Sequence, residues 1–405
     1  MIHPQFPHFS DRIKNIPESF IREILKVSSR PEMISFAGGL PNPDFFPVDK
    51  LASAADKVLS KDGKAALQYW ITEGYLPLRD YIAQWQSRRM GFRIEAEDVL
   101  MLNGSQQGID LVGKLFLNPG NTALLEGPSY LGAIQAFAAY QPIFHHIEIK
   151  GGGPDIKSFN AAMKKLRPAI FYCVPNFQNP TGNTYDSFHR EQIASTSCSP
   201  DTIWVEDNPY GEIYFEDNPL PNLCSLLPER TVHLGSFSKI ISPGIRLGWA
   251  VGPREVMRRM AIAKQASDLH SNNLVQRIVY QFLMDNSLDE HLNSIRSFYK
   301  EQATLMVRSM QDHFPKAVTR ITPEGGMFVW ATLPQDLKAS LLLVKAIQQN
   351  VLFVPGENFY VGGCDGSDSL RMNFSNPSRE EIVKGVKIMG ELIHSMMQNE
   401  SPPGA

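Results

Sequence analysis

Cysteine is scarce in this chain: there are four in 405 residues, Cys173, Cys198, Cys224 and Cys364, and no two stand at CxxC spacing. That scarcity argues against a disulfide framework or a cysteine-based redox motif and leaves reduced, structural thiols as the expectation. Net charge is slight as well. Lysine and arginine number 39 against 42 aspartates and glutamates, a formal charge of −3 at pH 7, which leaves no electrostatic footprint for nucleic acid or an anionic membrane as partner. No apolar run approaches the length that spans a bilayer. The opening Met-Ile-His-Pro-Gln-Phe-Pro lacks a basic segment followed by an apolar one, so the expected location is the cytoplasm. Internal repeats, low-complexity tracts and blocks of like charge are missing too.

What is present is enough apolar material, 43% of residues, for more than one core. After an extended arm, residues 17–28 carry Phe20, Ile21, Ile24, Leu25 and Val27 at helical spacing. Residues 34–43, with Gly38-Gly39 and flanking prolines, read as a tight turn rather than a regular element: either an elbow, or a backbone edge against which a ligand lies. Helical patterns over 48–60 and 76–90 bracket Leu67-Gln68-Tyr69-Trp70-Ile71. From residue 98 a strand–turn–helix rhythm sets in, with apolar strands at 98–103, 123–126, 142–149, 169–174, 203–207 and 231–234. This is the pattern of a mostly parallel sheet covered on both faces. Beyond Pro253 the pattern is helical to about Asp285, and 288–314 reads as a long connecting helix. A smaller α+β part follows, with strands at 326–332, 351–354 and 369–374 and helices at 341–349 and 379–397; the tail from 398 is expected to fray.

Ligands of such sheets bind beyond the carboxyl ends of the strands. That rule selects Tyr130, the 176–182 loop, Asp207 with Tyr210, and Lys239. Gly104-Ser105-Gln106-Gln107 opens a helix directly after a strand, so unpaired N–H groups and the dipole make an anion site there; Ser105 equally suits a plain N-cap. In Ser236-Phe237-Ser238-Lys239, the lysine can form a Schiff base with an aldehyde, while Ser236, Ser238 and Arg246 suit a phosphate. Pyridoxal 5'-phosphate is the cofactor that needs both; a solvated loop lysine is the alternative.

The order and spacing of these motifs resemble fold-type I pyridoxal-phosphate aminotransferases of class I/II, and within them the 2-aminoadipate, kynurenine and broad-range branch. The matching segments are Phe36-Ala37-Gly38-Gly39-Leu40-Pro41, Leu67-Gln68-Tyr69 with Gly74, Gly104-Ser105-Gln106-Gln107, Gln178-Asn179-Pro180-Thr181-Gly182, Asp207 with Tyr210, Ser236 through Arg246, Gly325-Gly326-Met327-Phe328, and Leu370-Arg371. They run over nearly the whole chain.

The resemblance implies an α/β fold: a large domain with a mostly parallel, seven-stranded-type sheet over 48–285, and a smaller α+β domain built from both chain ends, 1–47 and 286–405. It implies amino-acid and 2-oxo-acid substrates, a homodimer with shared sites, and no metal. Lys239 would bind the cofactor and shuttle the proton, Asp207 would pair with the pyridinium nitrogen, Asn179 and Tyr210 would meet the phenolic oxygen, and Tyr130 would stack on the ring. Ser105, Gln106, Ser236, Ser238 and Arg246 would hold the phosphate, joined by Tyr69 of the neighbouring subunit; a buried structural tyrosine is the plainer reading of Tyr69. Arg371 would clamp the substrate α-carboxylate, beside Gly39, Asn179 and Tyr130, unless it forms a buried ion pair. Arg22, on the first helix, would meet a distal carboxylate, its alternative being a solvated arginine paired with Glu18 or Glu23. Another reaction at Cα on the same fold, or an aminotransferase-like ligand sensor, are the rival functions. Arg371 argues against decarboxylation. Asn208-Pro209 and Trp70-Ile71 depart from the branch's common pattern and would reshape the pocket.

Overall fold

A computed structural model of the chain describes residues 8–14, 16, 20, 30, 32–196, 201–216, 220–334, 337–363 and 365–400. Of the helix expected over 17–28 only Phe20 is described, half-buried against the core. Arg22, Cys198 and Cys364 lie outside the described residues.

The strands, in chain order, are β1 (Ile34–Ser35), β2 (Val99–Leu102), β3 (Thr122–Gly127), β4 (Ile143–Lys150), β5 (Gly153–Pro154), β6 (Ile170–Cys173), β7 (Ile203–Asp207), β8 (Thr231–Ser236), β9 (Gly248–Val251), β10 (Thr319–Arg320), β11 (Phe328–Thr332), β12 (Val351–Leu352), β13 (Val354–Pro355) and β14 (Ser369–Asn373). The large sheet has the order β2-β9-β8-β7-β6-β3-β4-β5. Its strands β8, β7, β6, β3 and β4 are parallel, whereas β9 runs antiparallel to both β2 and β8. The mostly parallel seven-stranded sheet is therefore present, extended at one edge by the two-residue β5.

Alternation along each strand feeds a core on both faces. In β6, Ile170 and Tyr172 join Val205 on one side, while Phe171 and Cys173 join Trp204 on the other. A sheet buried on both faces explains why its strands read as continuous apolar runs. The helix Ser105–Phe116 lies so close to β8 that a Cβ on Gly108 would come within 2.6 Å of Leu234 Cδ2. Glycine is what lets the helix N-terminus sit over the strand ends.

Three features differ from expectation. Strand β9 fills the short apolar run after Arg246, and its pairing of Ser236 with Gly248 brings Arg246 back to the Ser236 turn. Ile34–Ser35 is not a turn but pairs in parallel with β12, which ties the start of the chain to the smaller α+β part. The helix expected from 254 to 285 is two, Arg254–Asp268 and Asn273–Asp285, broken at Leu269 with φ +65°. Asn272 restarts it by accepting a hydrogen bond from the Val275 N–H.

The second sheet is antiparallel, in the order β10-β11-β14-β13. Arg371 sits on its inner strand β14, opposite Trp330 on one side and Val354 on the other. The long helix Leu288–His313 packs along the closing helix Arg379–Glu400. Among the described residues no helix is long and apolar enough to cross a membrane.

Candidate active site

Five of the loops that follow strands of the large sheet, together with β14 and the segment after β1, surround a cavity of about 250 Å³. Its lining includes Gly39, Ser105, Gln106, Tyr130, Asn179, Asp207, Tyr210, Ser236, Ser238, Lys239, Arg246 and Arg371. Every described residue expected at the site is thus brought to one place except Tyr69. That residue is 76% exposed, on a loop with Leu67 at 71% and Ile71 at 53%. It is not a buried structural tyrosine. The loop is held from behind by His270, which accepts the Trp70 N–H through Nε2 at 3.2 Å and packs edge-on against the Tyr69 ring.

At the end of β8 the Ser236 hydroxyl accepts the Ser238 N–H at 3.1 Å, which curls the chain so that Lys239 enters the cavity. Lys239 Nζ donates to the Gly39 carbonyl at 2.8 Å. Burial, and then the nearby Arg371 and Arg246 cations, bring its pKa down to about 8. Arg246 closes the Pro243–Ile245 turn with φ +47°. Its guanidinium reaches the Ser238 hydroxyl and the Asn103 carbonyl, each at 3.4 Å. Gly104 has φ +82°, and a Cβ there would lie 2.7 Å from Arg246 Nη2, so this position needs glycine for both reasons. The N-cap of the helix is Gly104, not Ser105, which is its first residue. Gln106 Nε2 donates to the Gly132 carbonyl at 2.7 Å, linking this turn to the one that carries Tyr130.

Asp207 is the last residue of β7 and is almost completely buried. Its Oδ2 accepts a 2.7 Å hydrogen bond from the Tyr172 hydroxyl, and among the described residues its Oδ1 has no partner. Burial raises its pKa to about 6, opposed by the Tyr172 hydrogen bond and by His233. His233 is held by Glu206 at 3.1 Å inside the sheet, and Glu206 also accepts the Leu223 and Cys224 N–H groups. Burial pushes the Tyr130 phenol up to about 12.

Asn179 lies in a loop braced by Thr181, whose hydroxyl donates to Gln178, and by Gln178 Nε2, which donates to the Pro128 carbonyl. Asn179 Nδ2 donates to the Tyr210 hydroxyl at 3.4 Å, and Asn179 Oδ1 accepts from Arg371 Nη1 at 2.7 Å. Arg371 Nη2 donates to the Ala37 carbonyl at 2.6 Å. The guanidinium lies between the Phe328 and Phe359 rings, 4.4 and 5.1 Å from their centroids. It is 1% exposed, and among the described residues it has no carboxylate partner and its Nε no acceptor. Burial draws its pKa down to about 10. Among the described residues the ion-pair reading of Arg371 finds no carboxylate, and a buried guanidinium with unused donors can bind one.

The contacts made by Tyr172, His233, Phe328, Phe359 and the Ala37 carbonyl were not evident from sequence, although Ala37 and Phe328 lie in matching segments. The first two depend on the strand order, which alternation alone does not reveal. A larger cavity of about 960 Å³ lies behind the 207–211 turn, but it lacks Lys239, Asp207 and Arg371. Of the charged residues in its wall, Arg89 pairs with Glu212 and Lys300 with Glu216. The groups suited to Schiff-base chemistry line the smaller cavity.

Residues 32–388 match the family described as aminotransferase class I and II. A 2-aminoadipate transaminase of Thermus thermophilus is 40% identical over 386 residues, 94% of this chain and 95% of that protein. An aromatic-amino-acid aminotransferase of Thermococcus litoralis is 37% identical over 397 residues, 96% of this chain and 95% of that one. The crystal structure of an alpha-aminoadipate aminotransferase from Thermus thermophilus, complexed with N-(5'-phosphopyridoxyl)-L-leucine, superposes with a TM-score of 0.90 at 39% identity, covering 96% of this chain and 98% of that one. With its sheet order, the cavity at its strand ends and these likenesses agreeing, the chain belongs to the class I and II aminotransferases.

Proposed function

We propose that this aminotransferase holds pyridoxal 5'-phosphate in the cavity around Lys239 and moves an amino group from 2-aminoadipate, an aromatic or an aliphatic amino acid to 2-oxoglutarate, the two substrates taking turns in one site. The observation that carries the reading is the meeting of Lys239, the unpartnered Asp207 Oδ1 and the anion-free Arg371 in one cavity of about 250 Å³. The residues fit the cofactor. A buried carboxylate oxygen with no donor suits a protonated ring nitrogen, and the Gly104 turn with Arg246, Ser236 and Ser238 suits a phosphate.

When bound, the cofactor supplies an aldehyde for the substrate amine and a ring that takes up the electron pair released at Cα. Lys239 would take the α-proton and return one, and a lysine with its pKa near 8 has a usable neutral fraction at physiological pH. Asp207 would hold the ring N–H. Tyr210, whose oxygen already accepts from Asn179, would donate its own proton to the ring oxygen, with Asn179 beside it. Ser105, Gln106, Ser236, Ser238 and Arg246 would hold the phosphate and Tyr130 would stack on the ring. Arg371 would bind the substrate α-carboxylate against the backbone at Gly39.

The exposed Leu67, Tyr69 and Ile71 support a homodimer in which Tyr69 enters the neighbouring site. Arg22, outside the described residues, keeps its proposed contact with a distal carboxylate. We also propose that 48–285 acts as one body and that 1–47 with 286–405 acts as a second, and that the enzyme works in the cytoplasm, in keeping with the free thiols of Cys173 and Cys224. The test is a panel of acidic, aromatic and aliphatic donors incubated with 2-oxoglutarate, read as glutamate formed. Borohydride reduction and peptide mass spectrometry should find the cofactor on Lys239. An adduct on another lysine, or cofactor uptake without glutamate, would overturn the reading.

A further inference from the structure

Tyr172 does not line the cavity, yet it decides how Asp207 faces it. It sits on β6, completely buried, one strand away from Asp207 on β7, with Tyr172 in register with Val205. Its hydroxyl donates to Asp207 Oδ2 at 2.7 Å. Its ring is fixed edge-on by Phe137, centroids 5.8 Å apart and planes at 79°. Phe137 belongs to the helix Leu131–Ala138 whose N-cap is Tyr130, so the same packing unit carries the aromatic residue of the cavity wall. Among the described residues Asp207 therefore has one oxygen committed inside the protein and one left without a donor.

A buried carboxylate with neither oxygen held would be free to rotate about its last torsion and to take up a proton, and a neutral acid is a poor partner for a cationic N–H. We propose that Tyr172 is a positioning residue: its hydroxyl fixes the Asp207 carboxylate with Oδ1 toward the cavity and favours its ionised form, and so sets the strength of the contact to the cofactor's ring nitrogen. The inference rests on the cavity being a pyridoxal 5'-phosphate site. It assigns Tyr172 no contact with substrate or cofactor; its whole effect passes through one atom of Asp207.

The test uses Tyr172→Phe, which removes one oxygen and keeps the ring against Phe137. Apoenzyme, wild type and variant, is titrated with pyridoxal 5'-phosphate and with its analogue in which the ring nitrogen is replaced by C–H, and Kd is read from the visible absorbance of the bound form. Without the Tyr172 hydroxyl, Asp207 is less firmly oriented and more readily protonated, and Kd for the natural cofactor should rise about 10-fold. Kd for the carbon analogue should stay within about twofold of wild type, because that ring has no N–H for Asp207 to meet. Equal weakening for both compounds, or no weakening for the natural one, would overturn the proposal. Any loss of folded protein falls on both titrations alike, so the ratio of the two Kd values still decides. If wild type itself fails to bind the natural cofactor, the reading of the cavity falls, and this inference with it.

Discussion

Replacing Arg371 with Leu removes a buried cation that two hydrogen bonds and two aromatic rings hold in place. In the described structure two of its five N–H groups are spent, on Asn179 Oδ1 and the Ala37 carbonyl, which leaves Nε and others for a bidentate partner. Two hydrogen bonds from a charged donor contribute about 1.5–3 kcal/mol each, about 3–6 kcal/mol together. At about 1.4 kcal/mol per decade, kcat/KM for amino acids should fall by roughly 10² to 10⁴. The fold should tolerate the change, because a guanidinium with no carboxylate beside it is costly to bury and leucine suits the space between Phe328 and Phe359. We expect chemical denaturation to give a stability within about 2 kcal/mol of wild type. The decisive assay is the single-turnover reaction of the holoenzyme with an amino acid and with the corresponding amine that lacks the α-carboxylate. Arg371→Leu should slow the first and leave the second unchanged. Equal slowing of both would mean that Arg371 organises the site rather than clamps the carboxylate, and the argument would be refuted.

Asp207 titrates higher in the folded apoprotein, near 6, than its ordinary value of 3.8, so the folded state binds more protons between those values and stability falls as pH rises through that window. Asp207→Asn should therefore stabilise the apoprotein by about 3 kcal/mol at pH 8 and by almost nothing at pH 3.5, read from urea melts at the two values; a gain independent of pH would contradict the assignment. Gly104→Ala forces a side chain at φ +82° onto Arg246 and should raise the Kd for pyridoxal 5'-phosphate at least 10-fold, measured by absorbance titration, while Gly91→Ala, also at positive φ but with open space around it, should not. For the proposed homodimer, Ile71→Asp, on the exposed loop beside Tyr69, should shift the protein toward monomer in sedimentation velocity and weaken cofactor retention in step; an unaltered sedimentation profile would refute a place for this loop in a subunit interface.

Much of the site was legible because it obeys two local rules. Asp207 and the turn before Lys239 end apolar runs, and Gly104-Ser105 opens a helix directly after a strand, so the sheet-edge rule finds them without knowledge of strand order. What escaped depends on pairing. Strand β9 is four residues long, Gly-Trp-Ala-Val, and nothing in its composition says that it inserts antiparallel between β2 and β8. Tyr172 looks like one more apolar strand residue; its partner is 35 positions away and becomes visible only once β6 and β7 are neighbours. Ile34–Ser35 was hidden in the same way, since a two-residue parallel pairing across the whole chain leaves no periodic trace.

That short pairing has a consequence for how the chain tolerates change. Three residues past the start of β1, the Ala37 carbonyl receives Arg371, and two residues on, the Gly39 carbonyl receives Lys239. The two cations that matter most are thus both docked on main-chain oxygens of one short stretch, whose register is pinned by Ile34 against Val351. Adding or deleting a single residue between 35 and 37 would therefore carry both acceptors out of place, and one between 37 and 39 would displace the Lys239 acceptor alone. Along this stretch it is the spacing of the backbone, more than the identity of any side chain, that inheritance has to preserve.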